Sequence, residues 1–170
     1  MSSGMGRQRG SGRRGAGKKL AYPALLLGVL AADQIAKYRV ETGMKPGEMR
    51  RCAQGRILIR SSRNRGAALN VGQRNPALVR RLSVVLTAAA TLYYFVALAG
   101  KGRRLRKTGL SLLLGGAYSN TYDRLVKKEV TDYVSFDIGS PALRRIVFNL
   151  GDFGVIAGAG MVAADGMLHG

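Results

Sequence analysis

Apolar residues gather along this 170-residue chain in four long runs separated by polar stretches. Leu20 to Ala32 is apolar, with Pro23 near its start, and the run can continue as a helix through Asp33 to Tyr38. Leu82 to Gly100 is 19 residues without a charge, close to the ~20 apolar residues that cross a bilayer core. Leu110 to Val126 begins apolar and ends polar, with Asn120, Asp123 and Arg124. Phe148 to Leu168 carries Asn149 and Asp152 at its start and Gly154-x-x-x-Gly158 within it, a spacing that lets helix backbones approach closely. The pattern predicts an all-α integral membrane protein with four transmembrane helices, over about 20–38, 82–100, 109–126 and 148–168. The connection at 39–76 holds Arg56-Ile-Leu-Ile-Arg60, a short strand-like run.

Charge sharpens this picture. Lys and Arg number 28 against 9 Asp and Glu, a formal net charge of +19. That balance points to nucleic acid or an anionic membrane surface. Yet 46% of the residues are apolar, too many for a disordered basic chain. The two facts fit because charge and apolarity are segregated, which excludes an ordinary soluble globule. Residues 1–19 hold six cations and read as a disordered basic tail preceding a 20–170 membrane domain. Tail, apolar run and Ala31–Ala32 also look like a secretory signal, but three further apolar runs favour a retained span.

Lys101 to Lys107 places five cations in seven residues. The positive-inside rule therefore puts the tail, this loop and both termini in the cytoplasm. The nine cations of the 39–76 connection stand against that orientation. Aromatic residues are scarce among the basic runs, so no nucleic-acid partner is expected. The tail suits contact with anionic membrane lipids instead. One cysteine, Cys52, excludes an intramolecular disulfide and any multi-cysteine metal site. It reads as an incidental thiol, and the single histidine, His169, as solvated. Asp165 reads as an interfacial anchor.

Five acids lie in or beside the predicted spans: Asp33, Asp123, Asp132, Asp152 and Asp165. Charged groups at a span's centre cost about 2.5–3.5 kcal/mol each, so they persist when paired, interfacial or functional. Asn120, Asp123 and Arg124 fall on one helical face. That spacing suits a substrate contact and equally a network that only locks helices together. Asn149 and Asp152 share a face at the start of the fourth helix, where helix capping is the competing reading. The third span ends, and the fourth begins, on one side of the membrane, so Asp132 and Asp152 can approach there. Two close carboxylates cannot both ionise cheaply, which leaves one acid and one base for hydrolysis.

The motifs together resemble the lipoprotein signal peptidases (signal peptidase II), in order from about residue 30 to 165. Asp33-Gln34-Ile-Ala-Lys37 is similar to the family's D-Q-x-x-K, and Asn64-Arg-Gly66-Ala67-Ala68 to N-x-G-A-A. Gly115 to Arg124 resembles G-G-A-x-G-N-x-x-D-R, Val130-Thr-Asp132-Tyr133 resembles V-x-D-F, and Phe148 to Asp152 resembles F-N-x-A-D. The resemblance implies a membrane aspartic endopeptidase of the bacterial cytoplasmic (inner) membrane, with its site near the outer face. Asp132 and Asp152 match the catalytic aspartates. Asn64, Asn120, Arg124 and Asn149 match residues that bind the peptide, while Asp33, Asp123 and Gly66 match supporting positions.

The implied substrate is a diacylglyceryl-modified prolipoprotein, cut on the amino side of the lipidated cysteine. No metal or organic cofactor is implied, and a monomer is expected. The 39–76 segment would form a small extracytoplasmic β-cradle and 127–147 a mobile cover. Ser119, Gly151, Leu69 and Tyr133 depart from the family pattern, and Lys127-Lys128-Glu129 occupies a turn where glycine is common. The alternative readings are an inactive paralogue that binds lipidated peptides, and a membrane-anchored basic protein acting at nucleic acid or lipid surfaces.

Overall fold

A computed structural model describes residues 11–45, 47–66, 72–101 and 103–169. Its elements are α1 (Ser11–Gly43), β1 (Met49–Cys52), β2 (Ile57–Asn64), α2 (Pro76–Ala99), α3 (Arg104–Val126), β3 (Val130–Phe136), α4 (Pro141–Arg145) and α5 (Leu150–His169). The chain is thus mostly helical with one small sheet. α3 is the central helix, packed against α5, α1 and α2. α2 and α5 make little or no contact with each other.

The bundle buries many polar and charged side chains and exposes many large apolar ones. Asp33, Lys37, Asp123, Asn149 and Asp165 are fully buried, while Leu86, Leu92, Phe95, Val96 and Ile156 are exposed. A soluble globule arranges these classes the other way round. The α1 segment Leu20–Gly43 and all of α2 are long and apolar enough to cross a membrane. Around Tyr94, Leu110 and Leu114 lies the apolar core where α2 meets α3.

Glycine sets the closeness of α3 and α5. A Cβ at Gly116 would collide with the Gly151 backbone, and one at Gly158 with the Gly109 carbonyl and Leu113. The Gly154-x-x-x-Gly158 spacing therefore has a packing partner, as small residues do between membrane helices.

The helices run past the predicted limits. α1 starts at Ser11 rather than Leu20, so residues 11–19 of the expected disordered tail are helical, and it ends at Gly43. Residues 1–10 lie outside the described residues. α2 starts at Pro76 rather than residue 82, with the Asn75 side chain accepting from Leu78 N–H at 3.1 Å. Asn before Pro at the first helical position is a start signal independent of hydropathy. α3 likewise begins at Arg104, inside the basic cluster. Hydropathy marks where a helix becomes apolar, not where its backbone hydrogen bonding begins.

The sheet has order β1-β2-β3, antiparallel throughout. β2 takes up Ile57–Arg60 of the predicted run, leaves Arg56 in the turn before it, and extends to Asn64. Residues 130–136, expected within a cover, instead form the third strand. Ser62 pairs with Asp132 and Asn64 with Val130, after an irregularity in register between Ile59 and Ser62. The sheet thereby brings the ends of β2 and β3 over one end of the bundle. Phe148 adds a bridge to Val134, which ties the start of α5 to the same strand.

The opposite end is held by Asp165. It is buried and paired with Arg106 at 2.8 Å and Arg103 at 3.4 Å, a structural node rather than an interfacial anchor. His169 is exposed, as expected, with Nδ1 3.1 Å from the Asp165 carbonyl. Cys52 is exposed on β1.

Candidate active site

Four elements meet at the sheet end of the bundle. β3 presents Asp132, the first turn of α5 presents Asp152, the last turns of α3 present Asn120 and Arg124, and β2 ends in Asn64. Asn149 sits between the two acids. Its side-chain amide donates to Asp132 Oδ1 at 2.7 Å, and its backbone N–H donates to Asp152 Oδ2 at 3.0 Å. Asp152 N–H returns a bond to Asn149 Oδ1 at 2.8 Å. This reciprocal pair is a helix-capping arrangement, so the capping reading and the site reading of Phe148–Asp152 describe the same atoms.

Each carboxylate has a second amide donor. Asn64 Nδ2 donates to Asp132 Oδ2 at 3.0 Å, and Asn120 Nδ2 to Asp152 Oδ1 at 2.9 Å. Asn64 Oδ1 accepts from Gly66 N–H at 2.8 Å. The Gly66 carbonyl accepts from Arg124 Nη2 at 3.0 Å. Ala67, Ala68 and Leu69, which follow, lie outside the described residues.

Burial first, and then the negative charge of Asp152, push the Asp132 carboxyl up to about 6. The amides of Asn64 and Asn149 and the charge of Lys37 act the other way. Tyr133, beside it, has its phenol pushed up by burial and by Asp33.

Asp132, Asp152, Asn64, Asn120 and Arg124 line a cavity of about 380 Å³. Its remaining walls are mostly apolar and come from α2, α3, α5 and the segment before α5, including Leu86, Ala90, Ile146, Val155 and Ile156. Leu86 and Ile156 are exposed. The cavity therefore reaches the outer surface through the cleft between α2 and α5. An apolar cleft with a few convergent polar groups is the usual form of a ligand site.

Asp33 and Asp123 do not reach the cavity. They lie behind it, both paired with the buried Lys37 at 2.8 and 2.9 Å. Gln34 Nε2 donates to Ser119 Oγ at 2.8 Å and to Asp123 Oδ1 at 3.2 Å. Ser119 Oγ donates to Asp33 Oδ2 at 2.5 Å. Tyr133 Oη donates to Asp33 Oδ1 at 3.2 Å and accepts from Leu150 N–H at 3.0 Å. Ser119 and Tyr133, two departures from the family pattern, thus supply hydroxyls to this network. The Asp33/Lys37 spacing of four was a readable signal for an ion pair; nothing local pointed to Ser119. Among the described residues, no group of three or more His, Cys, Asp or Glu is placed to hold a metal ion.

A family model described as signal peptidase (SPase) II matches residues 25–168. The chain belongs to the signal peptidase II family. That makes it a hydrolase, a protease of lipoprotein processing. It is 30% identical over 151 residues to the lipoprotein signal peptidase of Shouchella clausii (strain KSM-K16), covering 89% of this chain and 95% of that one. It is 33% identical over 141 residues to that of Geobacillus thermodenitrificans (strain NG80-2), covering 83% and 86%. Two solved structures described as bacterial membrane enzymes share the fold. One has a TM-score of 0.75 at 22% identity, covering 86% of this chain and 87% of that one. The other has a TM-score of 0.70 at 23% identity, covering 85% and 90%.

Proposed function

We propose that this chain is an aspartic endopeptidase that removes signal peptides from prolipoproteins whose cysteine already carries diacylglycerol. It cuts on the amino side of that cysteine. The observation that carries the reading is the double engagement of Asn149, which holds Asp132 and Asp152 side by side at the head of one cavity.

In this reading Asp132 carries the shared proton and Asp152 is the base. Asp152 takes a proton from water as its oxygen attacks the scissile carbonyl, and Asp132 gives its proton to the carbonyl oxygen. Collapse of the tetrahedral intermediate breaks the C–N bond. The proton on Asp152 passes to the leaving amine, and the hydroxyl proton returns to Asp132. Asn64, Asn120 and Asn149 hold the carboxylates and, with Arg124, bind the peptide backbone. Arg124 lines the cavity, and its Nε has no hydrogen-bond partner among the described residues. Asp33, Asp123 and Gly66 support the site from behind and above. The apolar cleft between α2 and α5 admits the lipid chains.

α1, α2, α3 and α5 are proposed as four spans. α3 and α5 have 23 and 20 residues, about 30 Å or more of helix. Their buried acids face neighbouring helices, the arrangement by which membrane helices carry charge. The basic Lys101–Lys107 end then lies in the cytoplasm with both termini, and the dyad and sheet lie at the outer face of the bacterial inner membrane. The enzyme acts as a monomer among membrane lipids.

The test is a gel-shift assay on a diacylglyceryl-modified prolipoprotein with the detergent-purified protein, Asp132→Asn and Asp152→Asn. Cleavage by the parent and by neither variant is expected. Cleavage that survives either substitution would overturn the dyad. A folded parent that binds the substrate without cutting it would establish the inactive-paralogue reading.

A further inference from the structure

Lys37 is buried in α1, and among the described residues its hydrogen bonds and ion pairs go to Ser119, Asn120, Asp33 and Asp123 rather than to either proposed catalytic carboxylate. Its ammonium donates to Asn120 Oδ1 at 2.8 Å and to Ser119 Oγ at 3.2 Å, and pairs with Asp33 and Asp123. An ammonium has donors only. Whatever faces it must accept, so Asn120 turns its oxygen toward Lys37 and its NH2 the other way. The NH2 then meets Asp152 Oδ1 at 2.9 Å. The reversed amide would set a carbonyl oxygen against that carboxylate. Asn149 Nδ2 reaches the same Asn120 oxygen at 3.1 Å, which links this orientation to the residue holding both acids.

We propose that Lys37 is a positioning residue for the peptidase reaction: it fixes the Asn120 amide toward Asp152 and places one buried positive charge behind the aspartate pair. The proposal rests on the dyad reading above. Asp33 and Asp123 hold the ammonium at this point. The charged and titratable groups that act on the pair are Lys37 and Asp33 from α1, Arg124 from α3 and Tyr133 from β3. The charge of Lys37 acts on Asp132 to favour its ionised form, so removing it moves the activity profile toward higher pH.

Three variants separate positioning from mere support of the fold. Lys37→Met removes both amide orientation and charge. Lys37→Gln with Asp33→Asn removes one charge of each sign, and Asp123 keeps Lys127 at 3.2 Å. Lys127→Met removes an ion pair of the same cluster without touching Asn120. Folding is read by gel filtration and thermal unfolding in detergent, and kcat and KM are measured across pH beside Asp132→Asn and Asp152→Asn.

Both Lys37 variants are expected to lose about tenfold or more in kcat with KM little changed, the mark of a misplaced catalytic group. In Lys37→Met the pH profile also rises by about half a unit or more. Lys127→Met keeps the parent profile. Full kcat in a folded Lys37 variant overturns the proposal, as does an equal loss in Lys127→Met. Failure of both Lys37 variants to fold while Lys127→Met folds assigns Lys37 to the fold alone and also overturns it. Activity surviving in Asp132→Asn or Asp152→Asn would instead overturn the dyad.

Discussion

Asn149 and Asp152 cap each other across the first turn of α5, each backbone N–H donating to the other's side-chain oxygen, at 3.0 and 2.8 Å. Capping by Asn before a helix stabilises it by about 1 kcal/mol. Here the same bonds fix where one carboxylate of the proposed dyad stands. Asn149 also reaches Asp132, so the start of α5 cannot shift without moving the second acid. Helix capping and the geometry of the cavity are one set of contacts.

The raised Asp132 carboxyl sets a direction for pH dependence. Its ordinary value is 3.8, and in the fold it stands at about 6. Folding raises this group, so the stabilisation given by its proton is full below about 3.8 and is lost as pH rises through about 6. The proposed reaction needs that proton as well. The ratio kcat/KM of the free enzyme is expected to fall as pH rises through about 6, in a profile that belongs to the pair. Rates measured from pH 4.5 to 8 check this; a plateau across that range would remove Asp132 as the acid.

Gly116 should tolerate substitution worse than Gly151. A Cβ at Gly116 meets the Gly151 backbone, whereas one at Gly151 meets the side-chain oxygens of Asp33 at 2.9 Å and Asn149 at 3.0 Å first. Backbone of a packed helix yields less than side chains do. Gly116→Ala is expected to cost about 1–3 kcal/mol, visible as a lowered Tm in detergent, with a smaller loss for Gly151→Ala.

The Tyr133 hydroxyl joins Asp33 to the backbone N–H of Leu150. Tyr133→Phe leaves a buried donor and a carboxylate oxygen each short of a partner, worth about 1–2 kcal/mol. The hydroxyl touches neither proposed catalytic carboxylate. Thermal unfolding should therefore fall while the cleavage rate stays within about twofold. A large rate loss at unchanged stability would place Tyr133 in the chemistry.

Ile156 is exposed at the mouth of the cavity between α2 and α5. Ile156→Trp adds bulk there without entering the core. KM for a lipidated substrate is expected to rise about tenfold while kcat holds, as for lost uniform binding. Titration with the lipidated prolipoprotein checks it; an unchanged KM would mean that the lipid enters elsewhere.

Much of this protein is legible in its residues one after another. Four apolar runs located α2, α3, α5 and most of α1, because a long run of apolar residues bounded by polar stretches favours a helix. The polar residues of the five motifs are the ones the fold gathers around the cavity and in the network behind it, since a buried charge persists only with a partner or a task. Helix starts at Ser11, Pro76 and Arg104 were missed because backbone hydrogen bonding does not follow hydropathy.

The tertiary structure alone decided the partners. Residues 130–136 could have been cover or strand until β2 offered an edge to pair with. Asp33 and Asp123 were expected to support the site, but only packing shows that Lys37 is the group that pairs with both of them. Ser119 and Tyr133 carry no local mark of their roles, which arise from hydroxyls meeting groups 86 and 100 residues away. Residue type and spacing set what a side chain can donate or accept; packing sets which atom it meets.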